Sequence, residues 1–156
     1  AVSQTTFESA VLSSLKTPSV CNRQHWRVHV FEGVKKAELL KLQNGNTGFT
    51  DSIPYLAVIT SDLSAFYSPI ERYQQYIDGG MFSMSFLYSL HSLGLGACSL
   101  NWSASLLSDI RLHKLEYIPK NESVIMMIAV GYAKDGAYVA KSPRITVKDV
   151  LTLDLN

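Results

Sequence analysis

YQQYIDGGMFSMSFLYSLHSLGLGACSL, residues 73–100, is the stretch whose reading decides the fold. Between positions 81 and 95 its apolar residues (Met81, Phe82, Met84, Phe86, Leu87, Tyr88, Leu90, Leu93 and Leu95) fall on every face of a 3.6-residue turn, the pattern of a helix enclosed by other elements. Ser83, Ser85, Ser89 and Ser92 are small enough for neighbouring backbones to come close. Gly94 and Gly96 then supply a C-terminal stop, after which residues 97–102 can run as a strand. The stretch therefore predicts a long buried core helix ending in a glycine corner whose backbone can approach a ligand.

Two apolar runs flank it. YLAVIT at 55–60, bounded by Pro54 and by Ser61-Asp62, reads as a strand inside a sheet, and VIMMIAVGY at 124–132 reads as a second central strand. HWRVHVF at 25–31 alternates Trp26, Val28 and Val30 against Arg27, His29 and Phe31, as a strand with one better-buried face does. GVKKAELLKL at 33–42 gathers Val34, Leu39, Leu40 and Leu42 on one side of an amphipathic helix. A first helix, capped by Thr5 or Thr6, sets Phe7, Val11 and Leu15 on one face and cannot continue past Pro18. Ser103 can cap a helix running to Leu112. The tail from 133 is polar, with an amphipathic segment at 147–153. Because the helices at 33–42 and 103–112 are short, the alternation does not force a doubly wound parallel sheet, and an α+β sandwich, with a central mixed sheet flanked by helices, fits as well.

Composition narrows the function. With 156 residues, 47% of them hydrophobic, the chain suits one domain covering 1–156 with a full core. Its 14 basic and 13 acidic residues give a net charge of +1 and form no basic stripe, which argues against nucleic acid. No run is apolar enough for a membrane span. Cys21 and Cys98 lie far apart and outside any metal-binding spacing, so no metal site is expected and a reducing cytoplasm is the simplest location.

Chemistry concentrates in three places. Pro18, Ser19, Asn22, Arg23 and Gln24 offer a hydroxyl, two amides and a guanidinium within seven residues, enough to bind a polar ring edge or a phosphate; the competing reading is a loop that bonds its own backbone. The corner at Leu95 and Gly96 offers backbone N–H groups. Lys141 and Arg144 offer cations for a phosphate or simply belong to a solvated tail. Tyr73, Tyr76 and Asp78, at the start of the core helix, are placed to line a substrate pocket. His91 and Cys98 read as interior residues.

These blocks resemble a known family. TPSVCNRQHWRVHVF is similar to the A-P-S-x-x-N-x-Q-P-W signature of flavin-dependent nitroreductases, GGMFSMSFLYSLHSLGLGACSL resembles their helix ending in G-L-G-[TA]-C, and VIMMIAVGYA followed by KSPR resembles their closing strand and basic tail. The resemblance implies an intertwined homodimer with FMN at sites between subunits. It also implies ping-pong chemistry, in which NADH or NADPH reduces the flavin and a small organic acceptor such as a nitroaromatic or quinone reoxidises it. Carried over, Pro18, Ser19, Asn22 and Gln24 would contact the flavin, Leu95 and Gly96 would present N–H groups to its reactive edge, and Lys141 and Arg144 would hold the phosphate. No side chain need act as the catalytic group, since the flavin carries the chemistry. Two departures stand out. His25 replaces the signature proline, and the family's Arg-Arg-Ser-x-Arg-x-Phe segment would lie before Ala1, so the resemblance implies either a piece of a longer chain or a divergent member. The alternatives are a dimer of the same fold without FMN and a flavin enzyme for one dedicated metabolite.

Overall fold

Both continuous apolar runs become central strands. The structure is a computed structural model and describes residues 1–155. Strand β1 spans Trp26–Phe31, β2 Tyr55–Asp62, β3 Gly96–Asn101 and β4 Glu122–Gly131, in the spatial order β1-β2-β4-β3. All three pairings are antiparallel. The expected mixed sheet is therefore corrected to an antiparallel one among the described residues. The connecting helices explain this: α2 (Gly33–Leu40) and α4 (Leu106–Lys114) have eight and nine residues and rise only about 12–14 Å, too short to retrace the ~20 Å or more of a strand that a parallel crossover must cover.

Alternation along the strands sorts side chains into two layers. Trp26, Ala57, Ile59, Ile128 and Val130 pack with Phe82, Phe86 and Leu90 of α3 (Gln74–Ser92) and Ala10 of α1 (Gln4–Ser14). Leu56, Val58, Val124 and Met127 pack on the other face with Leu39 and Leu40 of α2 and Leu112 of α4. The result is the expected α+β sandwich, with helices on both faces of the sheet.

The long helix is held along one stripe. Phe82, Phe86 and Leu90 are fully buried, and Trp26 stacks on Phe82 with ring centroids 4.9 Å apart. Gly79 lets the helix lie close to β4, since a Cβ there would come within 2.7 Å of Ile125 Cγ1. The serines do pack closely: Ser14 Oγ donates to Ser89 Oγ at 3.2 Å and Thr17 Oγ1 to Ser85 Oγ at 2.7 Å, joining α1 to α3. The opposite stripe departs from the expectation of a helix enclosed all round. Tyr73, Tyr76, Ile77, Met81, Met84 and Tyr88 are between 40% and 66% exposed, because this chain has only the sheet and α1 to set against the helix. His91 and Cys98 are likewise exposed instead of interior, and on β3 only Leu100 is buried.

Element ends also differ in detail. Ser3, not Thr5 or Thr6, caps α1 by accepting the Thr6 N–H at 3.1 Å, and Ser105 caps α4. All described residues from 132 onward are exposed or nearly so, and the predicted amphipathic segment is reduced to a single 3-10 turn, Val147–Asp149.

Asp62 closes the end of β2. Its carboxylate accepts from Ser64 Oγ (2.6 Å), Asn121 Nδ2 (2.9 Å) and Arg27 Nη2 (3.1 Å), while its N–H donates to the His25 carbonyl at 2.8 Å. The Ser64 hydroxyl chiefly, helped by its N–H, by Asn121 and by Arg27, holds the Asp62 carboxyl below its ordinary range. A pKa lower in the folded than in the unfolded chain stabilises the fold above the unfolded value of about 3.9 and ceases to do so as pH falls through the folded value. Asp62→Asn is therefore expected to lower the urea midpoint at neutral pH, with the difference from the parent chain shrinking as the pH falls below the unfolded carboxyl value of about 3.9; equal midpoints at neutral pH contradict this. A second expectation concerns Gly131, where a Cβ would lie 2.5 Å from Pro54 Cγ. Gly131→Ala should cost about 1–3 kcal/mol in denaturant unfolding.

Candidate functional site

Pro18 opens a loop under backbone strain. Ser19 is extended, residues Val20–Asn22 make one 3-10 turn, and Cys21, Asn22 and Gln24 sit at φ of 49°, 54° and 49°. Each non-glycine residue in this left-handed region costs on the order of 1–2 kcal/mol, so the loop must be held by its surroundings. Ser19 Oγ accepts the Gln24 N–H at 3.0 Å, drawing the two ends together. Arg23 Nη1 donates to Glu71 Oε1 at 2.6 Å, and its guanidinium lies 4.9 Å from the centre of the Tyr67 ring. The Tyr67 N–H chiefly, and then Arg23, hold the Glu71 carboxyl below the usual carboxylate range.

Underneath, a buried carboxylate anchors the loop to α3, which corrects the expectation that Asp78 lines a substrate pocket: both of its oxygens are taken by the protein's own groups. Asp78 Oδ2 accepts the Val20 N–H at 3.0 Å and faces His25 Nε2 at 3.1 Å, while Oδ1 accepts from Gln74 Nε2 at 2.7 Å. The other ring nitrogen of His25, Nδ1, lies 2.7 Å from Ser61 Oγ on β2. The residue replacing the signature proline is thus a fully buried member of a polar chain.

The outer side of the loop is different. Pro18, Asn22 and Gln24 are exposed or partly so. The Asn22 carboxamide and the Ser19 hydroxyl hydrogen find no partner among the described residues, and Gln24 makes only a long 3.4 Å contact from Nε2 to the Asn22 carbonyl. The strained backbone thus presents a row of unspent hydrogen-bonding groups.

At the far end of α3 the glycine corner forms as expected, by a defined cap. Gly94 has φ of 76° and donates its N–H to His91 O at 2.9 Å, and Leu95 N–H donates to Leu90 O at 3.0 Å. This is the two-bond Schellman cap, with Leu95 and Leu90 packed together in the core. Leu95 therefore spends its N–H inside the cap, which corrects the expectation that it faces outward. Gly96 opens β3 at an exposed position. A Cβ on Gly94 would meet nothing within 4 Å, so the corner is open. Beside it, Gly96, Cys98, Pro54, Gly131 and Tyr132 line a shallow cleft of about 240 Å³.

The sequence-predicted residues fall into three groups. The loop residues share the N-terminal end of α3 with Tyr73 and Tyr76, both exposed, Tyr73 lying under the Arg72 guanidinium at 4.5 Å. The corner lies sixteen residues along the helix from Asp78, a rise of about 24 Å. Lys141 and Arg144 sit in the exposed tail, where Arg144 Nη1 donates only to the Ser142 and Pro143 carbonyls at 3.0 and 3.3 Å. One chain does not bring these groups together. A cavity of about 760 Å³ between α1 and β1, walled by apolar residues such as Phe7, Val11, Val28 and Tyr55, contains none of them. Sequence reading missed His25, Ser61 and Glu71 as supports of the loop. For His25 the signal was the broken motif; for Ser61 and Glu71 there was none.

The comparisons agree with this architecture. The model of the Nitroreductase family matches residues 33–132. The fold is similar to that of a nitroreductase family protein from Streptococcus pneumoniae TIGR4, at 19% identity over 98% of this chain and 90% of that one, with a TM-score of 0.82. It is similar also to a Desulfovibrio desulfuricans protein described as a nitroreductase and crystallised in complex with FMN, at 21% identity, 99% and 86% coverage and a TM-score of 0.77. A third similar structure is the gut-bacterial enone reductase CLA-ER, at 16% identity, 97% and 88% coverage and a TM-score of 0.81. No curated relative matches. With about two thirds of its length matched by the family model and the sandwich shared across nearly the whole fold, the chain belongs to the nitroreductase family.

Proposed function

We propose that this protein is an FMN-dependent NAD(P)H oxidoreductase working as a homodimer, with residues 1–156 acting as one domain. One observation carries the reading: the strained loop at 19–24, rigidly backed by Asp78, turns the free groups of Ser19, Asn22 and Gln24 outward. That donor set fits the polar edge of a flavin ring. Lys141 and Arg144 supply the cations a phosphate needs, with Arg144 occupied only by carbonyls of its own tail. Bound FMN would supply hydride chemistry between NAD(P)H and a small organic acceptor. Ser19, Asn22 and Gln24 orient the ring by hydrogen bonds. The glycine corner lets the ring edge approach the backbone at Gly96, and no side chain is needed as acid, base or nucleophile. Pro18 sets the entry of the loop, and Tyr73 and Tyr76 line the acceptor side.

The homodimer follows from distance. Loop and corner are about 24 Å apart along one helix, so one ligand can touch both only if a second copy brings its corner to the first copy's loop. The exposed apolar stripe of α3 and the exposed Tyr138, Val139 and Ile145 of the tail are the surfaces such a partner would cover. NAD(P)H and the acceptor then use the same opening in turn, which is the ping-pong order. Among the described residues no helix is long and apolar enough to cross a membrane, and both cysteines are free, which fits a reducing cytoplasm.

Purified protein mixed with FMN and passed through a desalting column should retain flavin absorption and oxidise NADH or NADPH when a quinone or nitroaromatic is present. A colourless protein with oxidation no faster than free FMN rejects the reading in favour of a non-catalytic member of the family. Arg144→Ala should weaken FMN binding by the ~1.5–3 kcal/mol of a charged hydrogen bond, read as a rise of about tenfold or more in the FMN dissociation constant; an unchanged constant removes Arg144 from the site.

A further inference from the structure

The buried chain Ser61–His25–Asp78 has the composition of a hydrolytic triad, but its geometry excludes that role. The side chains of His25 and Asp78 are 0% and 1% exposed and Ser61 is fully buried, so no substrate reaches the hydroxyl. Its hydrogen-bond pattern points elsewhere. A carboxylate is an acceptor, so His25 presents Nε2–H to Asp78 Oδ2, and the Ser61 hydroxyl satisfies Nδ1 at 2.7 Å. The same oxygen, Oδ2, also takes the N–H of Val20. Val20 opens the loop and His25 closes it, and between them lie the three residues at positive φ. Both ends of the strained segment are therefore gathered onto one buried oxygen of α3; Gln74 of the same helix holds the other carboxylate oxygen, Oδ1, and Ser61 of the central strand backs the His25 ring.

We propose that Asp78, oriented by His25 and Ser61, is the positioning residue of the donor loop: its carboxylate holds the loop with Cys21, Asn22 and Gln24 in the left-handed geometry that turns Asn22 and Gln24 outward. Among the described residues nothing else buried ties both ends. The Ser19–Gln24 bond and the Arg23–Glu71 pair lie at or near the surface, and a loop held by them alone relaxes toward ordinary φ values. Removing the carboxylate leaves the Val20 N–H and the His25 ring without their acceptor. The inference rests on the proposed flavin site for its functional consequence, but the clamp itself is a statement about the loop.

The test uses the full chain and two variants, Asp78→Ala and Ser61→Ala, with two readouts taken well below the unfolding temperature. Hydrogen exchange at the amides of residues 20–24 reports the clamp, with the amides of β2 and β4 as internal reference; an FMN titration followed by flavin fluorescence reports its consequence. In Asp78→Ala the loop amides should exchange about tenfold faster while β2 and β4 keep their protection, and the FMN dissociation constant should rise about tenfold. Ser61→Ala, which leaves Asp78 in place and serves as the second variant if Asp78→Ala does not fold, should move both readouts the same way by about threefold. Unchanged loop exchange in both variants overturns the proposal, as does a loosened loop with FMN affinity unchanged. If the parent chain binds no FMN, the flavin reading fails by itself, and the exchange comparison alone decides the clamp.

Discussion

Phe82, Phe86 and Leu90, pressed against Trp26, Ile59 and Ile128, fix α3 across one face of the sheet, and everything functional in this chain is placed relative to that helix. Burial of each such side chain is worth roughly 1.5–3 kcal/mol, so α3 is the most firmly seated helix of its layer. Its first turns carry Asp78, which holds the donor loop; its last turn ends in the Gly94 cap, which starts β3. A rigid rod of 19 residues thus keeps the two candidate halves of a site, Asp78 with its loop and the glycine corner, at a fixed separation of about 24 Å. Because the rod cannot shorten, a ligand touching both kinds of group must lie between two molecules.

The same seating explains the surface. A helix apolar on every side, covered here by the sheet and α1 on one side only, leaves Tyr76, Met84 and Tyr88 in water. Exposed apolar stripes of this kind mark association surfaces. The tail beyond β4 repeats the pattern, with Tyr138 fully exposed and Val139 nearly so. The proposed homodimer would cover both the helix stripe and the tail.

Much of this was legible from residues alone. YLAVIT and VIMMIAVGY announced central strands because a strand covered on both faces needs apolar residues at every position, and Gly94 announced the end of α3 because only a residue tolerant of positive φ closes a Schellman cap there. Other features were not legible. An all-round apolar helix does not say which of its stripes will lack cover, so the exposure of Met81 and Tyr88 was invisible. The antiparallel sheet was hidden because apolar runs carry no direction. Leu95 was misplaced because the glycine corner suggested free N–H groups, while the cap it forms consumes that of Leu95. The pairing of His25 with Asp78, 53 residues apart, and with Ser61, 36 residues apart, has no local pattern; only folding brings a histidine in a loop, a serine on a strand and an aspartate on a helix to one point.

The central claim is that the donor loop of one molecule and the glycine corner of another complete a single site. Sedimentation velocity of the FMN-saturated protein, followed by flavin absorption over a wide range of protein concentrations, tests it most directly. The account predicts that bound flavin sediments only with a dimer and dissociates as the dimer does on dilution. Flavin sedimenting with a stable monomer would contradict it.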